Sequence, residues 1–229
     1  ISQKTVKNMF VYLDTETTGL SASRGDKIVE ISIIDDKGNV LIDTLVNPER
    51  KIPYGAESVH GINNDMVASS PILEEILPDV DNAIRGKEVI IYNSSYDIQF
   101  FPDKLQQASR VTCAMKAYSN SIGSRKWIKL IDAAQNVGHV WQGNAHRALA
   151  DTQACRSVWH WLLQRDKNIA SEKKEPSTTP KTRMKWKNHF IEKRIITCKS
   201  CCVSIRVSVP TGKKGRVTCP KCGAKNAII

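Results

Sequence analysis

"VYLDTETTGL", residues 11–20, places Asp14 and Glu16 one residue apart at the end of an apolar run. On a strand, side chains alternate faces, so the two carboxylates share a face and repel, with Thr15 opposite. A hard, oxygen-seeking cation such as Mg²⁺ or Mn²⁺ would relieve that repulsion. The alternative is a pair of solvent-facing acids at a strand end. "YNSSYDIQFF" puts Asp97 just after a short apolar strand, in the first turn of an expected helix. "GNAHRALADTQA" puts His146 five residues before Asp151. On one continuous helix that spacing separates two side chains by about 140°. His146 therefore joins the acids only from the incoming loop or the helix start, a place that suits a proton acceptor.

The other residues with chemical potential are cysteines. Cys198-x-x-Cys201 and Cys219-x-x-Cys222 stand 17 residues apart, which matches a four-cysteine structural zinc site. Between them "VSIRVSV" alternates and "PTGKKG" reads as a turn, predicting a hairpin that brings the pairs together. The arrangement resembles a zinc ribbon, too small to fold unaided, so zinc would supply much of its stability. Cys202 competes with Cys201 as a ligand. Disulfides are the alternative, disfavoured in a chain that reads as cytosolic. Cys113 and Cys155 lie in apolar contexts and are expected in the core.

The elements that must position these groups follow from patterning. "MFVYLDTE" and "KIVEISIIDDKGNVLIDTLV" predict three strands joined by hairpins, with "DDKGN" as a tight turn. "PILEEILPDVDNAI" has apolar residues at helical spacing, and "KEVIIYN" is a short buried strand. "SYDIQFFPDKLQQA" and "KWIKLIDAAQNVG" read as helices, the second stopped by Gly138, with a strand at "VTCAM" between them. A last helix is expected from about Ala145 to Leu163. Antiparallel strands followed by alternating helix and strand predict an α/β domain covered by helices.

Charge divides the chain. Residues 1–165 hold 18 Lys and Arg against 19 Asp and Glu, whereas residues 166–229 hold 16 against 4. All the excess of +11 lies in the tail, as expected of phosphate-backbone binding or of a solubilising charged run. "RDKNIASEKKEPSTTPKTRMKWKNHF" has too few apolar residues to offset the entropy of ordering it. The expected organisation is a domain over 1–165, a basic flexible linker over 166–190 and a small β zinc-ribbon domain over 191–229. In "RMKWKNHF", Trp186 and Phe190 alternate with bases, a pattern that can grip a strand by charge and stacking; protein docking is the alternative for this tail. No stretch approaches the roughly 18 apolar residues of a membrane span, and no secretion pattern opens the chain. The expected location is cytoplasmic, nucleoid-associated if the source is bacterial.

"FVYLDTETTGL", "YNSSYDIQF" and "HRALADTQA", in that order, resemble the three motifs of the DEDDh exonuclease family, which includes the polymerase proofreading epsilon subunit, exodeoxyribonuclease X, ribonuclease T and oligoribonuclease. "IPYGAESVHGI" at 52–62 resembles a further segment of that family, and the likeness covers about residues 7–165. It implies a ribonuclease H-like five-stranded mixed sheet flanked by helices. It implies that Asp14, Glu16, Asp97 and Asp151 bind two Mg²⁺ or Mn²⁺ ions and that His146 is the general base. Thr17, Gly19 and Leu20 fall where family members contact the terminal nucleotide, Leu20 as an apolar wedge; otherwise they form a turn relieved by Gly19. His60 is a substrate contact or a loop histidine bonded to backbone, and Asn93 is structural or catalytic. The activity implied is 3′-to-5′ hydrolysis releasing nucleoside 5′-monophosphates. "VTCAMK" most resembles exodeoxyribonuclease X and polymerase-associated members, which favours DNA as substrate with RNA as the alternative; the expected partners are a single-stranded DNA 3′ end and a polymerase or repair protein. A non-catalytic zinc-ribbon adaptor on the same fold is the remaining reading.

Overall fold

In a computed structural model describing residues 10–141, 145–172, 191–201, 204–210, 215–219 and 221–228, the apolar run before Asp14 forms β1 (Phe10–Thr17). It is followed by β2 (Ile28–Asp35) and β3 (Val40–Leu45), then by α1 (Tyr54–His60), α2 (Asn64–Val67) and α3 (Leu73–Ile84). Next come β4 (Glu88–Ile91), α4 (Ser94–Asp97), β5 (Arg110–Cys113), α5 (Ala114–Ser121), α6 (Leu130–Asn136) and α7 (Ala148–Glu172). The five strands form one mixed sheet in the order β3-β2-β1-β4-β5. The first three pair antiparallel, while β1, β4 and β5 run parallel. This is the ribonuclease H-like arrangement expected.

β1 is central and covered on both faces, which is why "FVYL" is continuously apolar rather than alternating. Val11 and Leu13 pack on one face with Ile76, Val80 and Ile84 of α3 and with Phe100 and Phe101. Tyr12, joined by Phe10, packs on the other with Met115 and Tyr118 of α5 and with Cys155, Val158 and Leu162 of α7. Cys155 is thus a core residue, as expected; Cys113 packs at the edge of the same cluster.

The structure corrects several expected elements. The helix expected at "SYDIQFFPDKLQQA" is one turn, α4, continued by a 3-10 turn at Ile98–Phe100. Phe101 is extended, at φ −95° and ψ 127°, because a residue before proline is kept out of the α region. The last helix starts at Ala148 rather than Ala145 and runs past Leu163 to Glu172. Residues 166–172, expected in a linker, are therefore helical, since no Gly or Pro interrupts "QRDKNIASE". The rest of the expected linker, 173–190, lies outside the described residues, as do Trp186 and Phe190.

The chain divides into two compact units, 1–176 and 177–229. In the second, β6 (Ile191–Thr197) pairs antiparallel with β7 (Ser204–Pro210), and β8 (Gly215–Thr218) with β9 (Lys225–Ile228). Among the described residues, the hairpin expected to carry "VSIRVSV" toward the second cysteine pair is not the one formed. This strand pairs backward instead, with a strand at 191–197 that its mixed polar pattern did not announce, so each cysteine pair occupies the turn of its own hairpin. Of the turn expected at "PTGKKG", residues 211–214 lie outside the described residues.

Candidate active site

Strand parity and helix periodicity converge on the acids. Phe10 and Tyr12 face α7, so Asp14 and Glu16 continue that face beyond the end of the apolar run. On α7 the buried stripe Cys155, Val158, Leu162 extends one turn back to Asp151. Oxygen atoms of Asp14, Glu16 and Asp151 accordingly lie within 4.8 Å of one another. Thr15 points to the opposite face, and its hydroxyl donates to Asp97 Oδ1 at 2.8 Å. Asp97, 3 % exposed, thus enters the sheet end from the α4 side.

Burial raises all four carboxyls, and neighbouring carboxylates add to it. For Asp14, burial comes first and the charge of Asp97 second, holding it well above the usual range. Glu16 is pushed to about 8 by burial and then by Asp151 and Glu30. Burial carries Asp97 to about 7 against the hydrogen bonds from Thr15. Asp151 is raised by burial, opposed by the His146 backbone. Acids this crowded and undercompensated fit a divalent cation, whose charge would restore the ionised form.

His146 stands two residues before α7, outside the helix as its spacing required. It is exposed, at φ +65°, and its backbone N–H donates to Asp151 Oδ1 at 3.3 Å. The left-handed backbone turns the chain abruptly into the helix, a strained conformation kept only where neighbours enforce it. Those neighbours are Arg147 and Glu30, which sequence reasoning missed. Glu30 sits opposite Glu16 in the β1–β2 register, a like-charge pair that would repel. The Arg147 guanidinium caps it, donating through Nε at 3.0 Å and Nη2 at 2.5 Å. The Ala148 N–H donates to Glu30 Oε2 at 2.9 Å. Glu30 therefore caps the first turn of α7 from another strand. The available signal was a lone acid in the otherwise uncharged, buried run "IVEISII".

Beside the acids, Glu16, Thr17, Gly19, Leu20, Val59, His60 and Tyr96 line an open pocket of about 320 Å³. Leu20 is 81 % exposed at its mouth. The Tyr96 hydroxyl lies 2.6 Å from Thr17 Oγ1 and donates to the Gly19 carbonyl at 3.0 Å, fixing the turn. A Cβ on Gly19 would come within 2.4 Å of the Asp26 carboxylate, so glycine is required by close approach. His60 is at the end of α1 rather than in a loop, 5 % exposed, with Nδ1 accepting from Ile62 N at 3.0 Å. Asn93 precedes α4 and accepts from Ser95 Oγ at 3.1 Å; it does not line the pocket. Tyr96 and Val59 are pocket residues that the motifs did not single out.

In the second unit, sulfurs of Cys198, Cys201, Cys219 and Cys222 lie within 4.8 Å of one another. Cys198–Cys222 and Cys201–Cys219 are each 3.6 Å apart, close to the ~3.7 Å edge of a tetrahedron with zinc–sulfur bonds of ~2.3 Å. No disulfide joins these described cysteines. The Cys201 and Ser200 backbone N–H groups bring the Cys198 thiol down to about 6, favouring the thiolate that binds metal. Asn226, 3 % exposed, donates to Cys198 Sγ at 3.5 Å and accepts from Lys199 N. Cys202 lies outside the described residues.

Residues 11–158 match the RNase_T (Exonuclease) family, and the chain belongs to it: this is a 3′-to-5′ exonuclease of the DEDDh class. It is 34 % identical over 168 residues to an uncharacterized exonuclease, CP81, of Escherichia phage 186, spanning 66 % of this chain and 86 % of that protein. It is also 34 % identical over 116 residues to the DNA polymerase III subunit epsilon of Rickettsia felis, spanning 49 % of this chain and about half, 51 %, of the epsilon subunit. Among solved structures, exonuclease X in complex with 5′ overhanging duplex DNA superposes with a TM-score of 0.56 at 24 % identity, covering 69 % of this chain and 93 % of that one. A 3′-exonuclease recognising a histone mRNA stem-loop superposes at 0.57 and 18 % identity, covering 69 % and 64 %. Both likenesses are in fold. No helix among the described residues is long and apolar enough to cross a membrane.

Proposed function

We propose that this exonuclease removes nucleoside 5′-monophosphates from the 3′ end of DNA, with Asp14, Glu16, Asp97 and Asp151 holding two Mg²⁺ or Mn²⁺ ions. The convergence of Asp14, Glu16 and Asp151 oxygens within 4.8 Å, at the rim of a pocket of nucleotide size, carries the reading. When bound, such ions offset phosphodiester charge and lower the pKa of the attacking water. The chain's own residues do the rest. The pocket of Thr17, Gly19, Leu20 and Tyr96 takes the terminal sugar and base, with Leu20 against the apolar face and His60 as its rear wall. His146, exposed beside Asp151, accepts the water's proton at a ring nitrogen, a role worth on the order of 10²–10⁴ in rate. Glu30 and Arg147 hold the backbone on which His146 sits. DNA is favoured over RNA by the epsilon-subunit relatives. Release of labelled mononucleotides from single- and double-stranded DNA and RNA tests this; RNA degraded faster than DNA overturns the substrate assignment.

The second unit, 177–229, takes one structural Zn²⁺ on Cys198, Cys201, Cys219 and Cys222, with Asn226 orienting Cys198. Its 3.6 Å sulfur spacings support this. The basic ribbon grips the nucleic-acid backbone. Metal analysis of the purified chain, with Cys219→Ser as control, tests the ion; a stoichiometry near zero for the unmutated chain overturns it.

A further inference from the structure

Residues 122–129, "IGSRKWIK", join α5 to α6. Trp127 is 74 % exposed, and Ile131 and Ile122 flank it at 50 % and 41 %. Arg125, Lys126 and Lys129 are exposed as well, and none of them forms an ion pair among the described residues. Asp132 is the one acid near them in the sequence. In a domain whose first 165 residues nearly balance in charge, three unpaired cations around an open indole are a local exception.

The loop is a held platform. Ser124 Oγ accepts from Lys126 N and donates to Lys126 O, and the Tyr92 hydroxyl donates to Ile128 O at 2.8 Å. Ile128 packs inward against the core beside Tyr92, which leaves its neighbour Trp127 facing out. Tyr92 directly follows β4, whose carboxyl end leads into Asp97. β1 and β4 are parallel, so the loop is tied to the end of the sheet that carries the catalytic acids.

We propose that the Arg125–Lys129 loop is a second contact surface for the nucleic-acid strand, holding nucleotides internal to the terminal one through phosphate charge and stacking on Trp127. The proposal rests on the reading that the terminal nucleotide occupies the pocket at Leu20 and Tyr96. Charge complementarity selects a polyanion, and a flat, exposed, rigidly presented indole suits bases, which all offer a stacking face.

Substrate length tests it on the full chain with Mg²⁺. On this reading the p-nitrophenyl ester of thymidine 5′-monophosphate and a dinucleotide would stop short of the loop, and a single-stranded dodecanucleotide would reach it. Trp127→Ala should raise KM for the dodecanucleotide on the order of ten-fold with kcat little changed, and leave the two short substrates unaffected. Trp127→Phe should restore most of the loss. Neutralising Arg125, Lys126 and Lys129 together should flatten the salt dependence of binding by about 0.7 for each phosphate that is no longer neutralised. Unchanged dodecanucleotide kinetics in Trp127→Ala would overturn the proposal and leave the loop as a protein-facing surface. An equal loss on all three substrates would also overturn it, because the effect would then be distortion of the active site. Failure of the unmutated chain to cleave any of the three removes the nuclease reading itself, a result distinct from the other two.

Discussion

Arg147→Met removes the guanidinium that caps Glu30 while keeping much of the side chain's length. Glu30 is then left 5 % exposed, facing Glu16 across the strand pair, with only the Ala148 N–H as donor. Breaking a fully buried ion pair costs ~3–5 kcal/mol. Here the Arg147 side chain is 41 % exposed, so water partly replaces it and the retained backbone bond offsets more. The expected loss is about 2–3 kcal/mol, or ~4–12 °C in the melting temperature of a domain of this size. Because the same ion pair holds the strained backbone at His146, kcat should fall by ~10–100-fold, the cost of displacing a reacting group by about an ångström. Adding Glu30→Gln to Arg147→Met should recover stability relative to the single variant, since the stranded charge is gone. Urea unfolding without metal and mononucleotide release with Mg²⁺ measure the two effects. A variant with stability within ~0.5 kcal/mol of the parent refutes the energetic argument. Lost stability with unchanged kcat refutes the positioning of His146.

Asp14→Ala or Asp151→Ala should abolish nuclease activity and leave the circular dichroism unchanged, because each removes repulsion along with a ligand; wild-type turnover in either variant contradicts the site. EDTA should stop the reaction in the same way. The carboxyls' raised pKa values fix the sign of a pH effect: for Glu16, raised from 4.5 to about 8, and Asp97, from 3.8 to about 7, the stability they contribute is full below about pH 4 and is lost as pH rises through 7–8. Without metal, the melting temperature should therefore fall between pH 5 and 8, and Mg²⁺ should restore more at pH 8 than at pH 5; the opposite ordering refutes the electrostatic reading. A chain ending at Pro176 retains every proposed catalytic group and should cleave with raised KM and a flatter salt slope, an outcome that Cys219→Ser imitates in part. Equal affinity and slope in the shortened chain point to protein docking for the ribbon.

Local periodicity determined a good deal of this protein. The apolar run before Asp14 made a buried strand, its parity placed Asp14 and Glu16 on one face, and the five-residue spacing from His146 to Asp151 excluded a shared helix face. Two Cys-x-x-Cys pairs announced a four-sulfur cluster without stating which strands would bear it. These are effects of neighbours along the chain, set by strand and helix geometry alone. The stop at Phe101 was legible in the proline that follows it, whereas the strand at 191–197 and the burial of His60 were not, because each depends on what the remainder of the fold packs against it. The same holds for Glu30. In sequence it is one acid in an apolar strand, more than a hundred positions from Arg147. Only the pairing of β2 with β1, and the docking of α7 across both, set its charge against Glu16 and the guanidinium upon it. Cross-strand register and helix docking are chosen by the burial of the whole core, and a lone polar residue inside that core takes whatever partner the fold delivers.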